Sequence, residues 1–95
     1  MASRKNIKKD IRFVIEQVIS DALDIGVALE DEKEKQKVLD TIIGLVDLHN
    51  ELLSRVNNPD GKENPKLVKQ FFNKIYDDLL EKSNAAYDEL NKLAK

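Results

Sequence analysis

The feature that most constrains this chain is a helical apolar rhythm that runs in three stretches and changes phase between them. Ile7, Ile11, Val14, Ile15, Val18, Ala22 and Ile25 fall within an arc of roughly 100° when each residue is turned by about 100°. The stripe that resumes at Val38 is rotated by roughly 150° from the first, so one straight helix could not bury both. A break between them is required. Ser3 is the natural N-cap of the first helix, because its hydroxyl can accept from a free amide there. Its far end is either a left-handed stop at Gly26 or a continuation towards Leu29.

The second stretch opens at Asp31, which has capping-box spacing to Glu34 in an acidic run suited to the positive end of a helix dipole. Val38, Ile42, Leu45, Val46, His49, Leu52, Leu53 and Val56 are its expected inner face. The segment NNPDGKENP then punctuates the chain. Asn58-Pro59-Asp60-Gly61 reads as a type I turn, and Asn64-Pro65 reads as an N-cap followed by a proline at the first helical position. Val68, Phe72, Ile75, Tyr76, Leu79, Ser83, Ala86, Leu90 and Leu93 share one face of the third helix. Within that face Phe72, Leu79, Ala86 and Leu93 are spaced by seven, as suits helices packed at a shallow angle.

These readings predict one all-α domain over residues 1–95, an antiparallel up-down-up three-helix bundle with long helices at about 3–28, 31–56 and 65–94 and a turn at 57–64. A chain of 95 residues holds one modest core. It contains no cysteine, which excludes disulfides, thiolate nucleophiles and cysteine-ligated zinc. With 36% charged residues and a net charge of -2, it has no strong global attraction to nucleic acid or acidic membranes. No apolar run approaches the ~18 residues of a membrane span, and the opening residues lack the apolar core of a secretory signal. A cytoplasmic location is expected.

The single histidine lies in LVDLHNELLSR, among polar residues that suggest a site. Helical phase separates them: His49 sits near the middle of the apolar stripe, whereas Asp47 and Glu51 point roughly 160° away. Its neighbours three and four residues away are Leu45, Val46, Leu52 and Leu53, so the second ligand that a helical metal site needs is missing. His49 is therefore expected to be a neutral core histidine. Counting along the helices brings it level with Tyr76 and Asp10, so these three form the expected structural polar core. A His49–Asp10 pair would resemble a general base and its orienting group, but no nucleophile or oxyanion donors accompany it. No catalytic residue, metal site or cofactor is expected.

Two surface features remain. Lys5, Lys8, Lys9 and Arg12 share one side of the first helix and could follow a phosphate backbone, but the row is short and no aromatic residue is interleaved for stacking. Apolar residues also fall off the expected stripes: Phe13, Val27, Leu48, Leu67 and Phe71. Gly44, beside Thr41 and Leu48, is costly inside a helix and suggests close approach of another backbone, within the chain or from a partner. Phe13, Thr41, Gly44, Leu48 and Phe71 are thus the candidate interface.

MASRKNIKKDI and DLHNELLSRVNNPD, with FFNKIYDDL more loosely, resemble a family of short, uncharacterised all-helical proteins of Bacteroidetes-type bacteria. The resemblance implies a small helical bundle and brings no activity, substrate or cofactor, so it transfers no functional residue. The expected function is a non-enzymatic interaction or structural module that meets a protein partner or a second copy as a homodimer. The alternatives are a nucleic-acid accessory protein using the basic row and an enzyme or ligand-binding protein built around His49.

Overall fold

The computed structural model describes residues 4–57 and 64–93 and contains three helices, α1 (Arg4–Ala28), α2 (Glu32–Asn57) and α3 (Pro65–Leu93), each packed against the other two. No strand occurs among the described residues. The expected helix limits agree with these bounds to within about one residue, the usual scatter of a frayed end. Ser3 and the expected turn at 58–61 lie outside the described residues.

Local chemistry explains the ends. α1 runs through Gly26 to Ala28, and Leu29 N donates to Gly26 O at 3.3 Å, so the helix closes on a tight last turn with Gly26 inside it. Asp31 caps α2: its carboxylate accepts from Lys33 N at 3.1 Å while its carbonyl accepts from Lys35 N at 3.0 Å. Asn64 does the same for α3. Its side-chain oxygen accepts from Lys66 N at 3.0 Å and Leu67 N at 3.4 Å, and Pro65 follows where no amide is needed.

One core runs the length of the bundle, whose extents are 52 × 17 × 17 Å. α1 contributes Ile7, Ile11, Ile15, Val18 and Ala22, and α3 contributes Phe72, Ile75, Leu79, Ala86 and Leu90, as their periodicity predicts. Burying an aliphatic side chain of this kind contributes about 1.5–3 kcal/mol, so these faces dominate the stability.

The face of α2 differs from expectation. Its buried residues are Val38, Leu45, Leu48, Leu52 and Val56. Leu48, expected off the stripe, is core, whereas Val46 is 44% exposed and His49 is only half-buried. At 100° per residue the observed face is turned by roughly 45° from the expected one. The cause is that the expected face includes Ile42 and Val46, which lie on one side of α2 and pull its average direction away from the residues that meet α1 and α3.

Candidate interaction surface

The polar contacts between helices are ties between side chains. Tyr76 hydroxyl donates to Asp10 at 2.7 Å, so two of the three expected partners do meet. His49 is not with them. The rotation of α2 carries it towards solvent, where its Nδ1 lies 3.2 Å from Asn50 Oδ1 and donates there in the Nδ1–H tautomer. A second tie repeats the first: Tyr87 hydroxyl donates to Asp21 at 2.6 Å. The sequence carries a signal for this pair, because Tyr87 follows Tyr76 by the same eleven residues that separate Asp21 from Asp10.

Burial together with the Asp10 carboxylate pushes the Tyr76 phenol up to about 12. The hydrogen bond to Asp21, helped by burial, also raises Tyr87 above its ordinary range. Arg55 donates to Asp78 at 2.8 Å, with Lys74 at 3.3 Å, and the Arg55 bond holds the Asp78 carboxyl below the usual carboxylate range against the opposing effect of burial. Among the described residues no cluster of His, Asp or Glu could hold a metal ion. Ser83 is buried at the centre of α3, and its Oγ has no hydrogen-bond partner among the described residues.

Of the expected interface residues, Thr41, Gly44 and Leu48 line one groove, whereas Phe13 and Phe71 lie outside it. Leu48 belongs to the core. Thr41 hydroxyl donates to Lys37 O at 2.9 Å, and Gly44 has no atom within 4 Å of the place a Cβ would take. Gly44 therefore borders a groove of about 290 Å³ between α2 and α3 and permits no close approach within the chain. Phe71 is half-buried, its ring tilted against Phe72 with centroids 5.9 Å apart. Phe13 is 69% exposed, but its helical neighbours Lys9, Asp10, Glu16 and Gln17 are all polar, so it stands alone. In the basic row Lys9 and Arg12 are exposed and Lys8 is half-buried, while the Lys5 side chain lies outside the described residues.

A different surface is continuous. Leu23 and Val27 on α1 face Leu39 and Ile42 on α2 across a groove of about 250 Å³, with Gly26 and Lys35 in its walls and Val38 at its floor. Ile43 and Val46 extend it, since they lie four residues after Leu39 and Ile42 respectively. Leu23, Val27, Leu39, Ile43 and Val46 each remain 44–86% exposed. Single exposed leucines are ordinary, but a contiguous apolar patch on two helices is the usual mark of a contact surface. Only Val27 of these five stands out as off-stripe in the sequence. Val46 is expected on the inner face of α2, and the periodicity assigns Leu23, Leu39 and Ile43 to no face. No helix among the described residues is long and apolar enough to cross a membrane. No known protein family matches the chain, and no curated protein or solved structure is similar to it.

Proposed function

We propose that the chain is a non-enzymatic protein-interaction module, an antiparallel up-down-up three-helix bundle that docks through the outer face of α1 and α2. The observation that carries the reading is the joined exposure of Leu23, Val27, Leu39, Ile43 and Val46 around one groove. Water is excluded most favourably from such a patch by another protein surface.

The up-down-up arrangement is supported by the two tyrosine ties, which both span 66 residues. A constant offset is what two helices running in the same direction produce, with α2 returning between them. The non-enzymatic reading is supported by geometry: Asp10, which a general-base histidine would need as its orienting group, accepts from Tyr76 instead, and His49 lies against Asn50.

The test is protein binding that depends on this face. Leu39→Lys combined with Ile43→Lys leaves every core side chain in place, so helix content by circular dichroism should stay within a few per cent of wild type. Immobilised wild-type chain should retain protein, copies of itself included, that the double variant releases. Identical retention by both chains would refute the proposed surface.

A further inference from the structure

We infer that the occupant of this face is a second copy of the same chain, laid antiparallel across a two-fold axis. The inference rests on the interaction reading above and names its partner.

Area is the first support. Leu23, Val27, Leu39, Ile43 and Val46 are each 44–86% exposed, and two copies of such a face with their rims are on the order of the ~1,000 Å² that a persistent interface needs. A self-complementary patch reaches that size with its own rim, as a symmetric contact requires.

Charge is the second support, and it also sets the direction. A Cβ at Gly26 would lie 3.3 Å from Val38 Cγ1, which places these two residues level with each other. At 1.5 Å per residue the centre of the patch then falls near Ala22 of α1, with Arg12 roughly 15 Å to one side and Glu32 roughly 15 Å to the other. Lys9 lies beyond Arg12, and Glu30 lies beside Glu32; all four are exposed. Lys9 is on the line of the patch, since the eighteen residues to Val27 make about five full turns. One end of the face is basic and the other acidic. A parallel pairing would bring like-charged ends together, whereas the antiparallel one brings the end of each copy that carries Lys9 and Arg12 to the end of the other that carries Glu30 and Glu32.

The experiment is sedimentation equilibrium of the full chain in about 0.15 M salt, where charges farther apart than ~8 Å are screened and only contacting rims act. The wild type should dimerise, and Ile43→Glu should leave a folded monomer. Lys9→Glu with Arg12→Glu makes both ends acidic, and Glu30→Lys with Glu32→Lys makes both ends basic. Each of these chains alone should self-associate at least tenfold more weakly than wild type. Mixed one to one, they should recover wild-type affinity as a heterodimer, which a structural defect in either chain could not produce. A wild type that remains monomeric at millimolar concentration overturns the inference, as does a mixture no tighter than its parts. If that monomer still retains another protein through Leu39 and Ile43, the inference fails while the interaction reading stands; if it retains none, both fail.

Discussion

At the scale of single residues, the two tyrosine hydroxyls give the bundle a measurable alkaline limit. In the folded chain the Tyr76 phenol is raised from 10.0 to about 12, because burial disfavours the phenolate, the neutral form donates to Asp10 and ionisation would place two anions together. A group raised on folding contributes its full stability below the unfolded value and loses it as pH climbs through the folded one. The melting temperature of wild type should therefore fall more steeply between pH 10 and 12 than that of Tyr76→Phe, while the two chains differ by about 1 kcal/mol at pH 8. Parallel curves across that window would show that the tie contributes nothing. Ser83 makes the opposite case. Its hydroxyl is buried and unpaired among the described residues, so it forfeits hydration without recovering a bond. Ser83→Ala should raise the unfolding free energy by about 1 kcal/mol in a urea titration, and a loss would mean that the hydroxyl has a partner in solution.

At the scale of elements, glycine separates two kinds of helix position. Gly44 is in the interior of α2 with open space where a Cβ would stand, so Gly44→Ala removes only backbone entropy and should stabilise by about 1 kcal/mol. Gly26→Ala should gain less, because its Cβ would press on Val38 Cγ1 at 3.3 Å. Equal gains in thermal melts would sink that contrast. The limits of the helices were legible in the sequence because caps are local: Asp31 and Asn64 act on amides two or three residues away. The rotation of α2 was not. A periodicity average weights every apolar residue alike, and α2 carries more of them than two neighbours can cover. Ile42 and Val46 therefore drew the expected stripe towards solvent, left Leu48 outside the expected core and drew His49 in. α3 escaped this error because its apolar residues concentrate more nearly on one face than those of α2. Val46, which misled the reading of α2, belongs to its candidate surface beside Leu39 and Ile43.

At the scale of the whole molecule, one core passes without interruption from Ile7, Val56 and Phe72 to Ala22, Val38 and Leu90. The ends of such a cylinder are held by the same three helices, so neither can lose its packing while the other keeps a partner on both sides. Unfolding should then be a single transition, as is usual for domains of this size. The chain supplies its own reporters. It has two tyrosines and no tryptophan, and the tyrosines sit eleven residues apart on α3, roughly 16 Å at 1.5 Å per residue. Tyr76→Phe leaves only Tyr87 to report from the Asp21 level, and Tyr87→Phe leaves only Tyr76 at the Asp10 level. Each remaining phenol is hydrogen-bonded to a carboxylate that quenches it, so its emission should rise when the tie opens. In each variant the fluorescence midpoint in urea should coincide with the loss of helix measured by circular dichroism on the same sample. Each variant has lost a different tie and has its own stability, but within each the two probes should agree. A phenol that is released before the helices melt would locate a level of the bundle that opens on its own, and would divide the continuous core into two cooperative units.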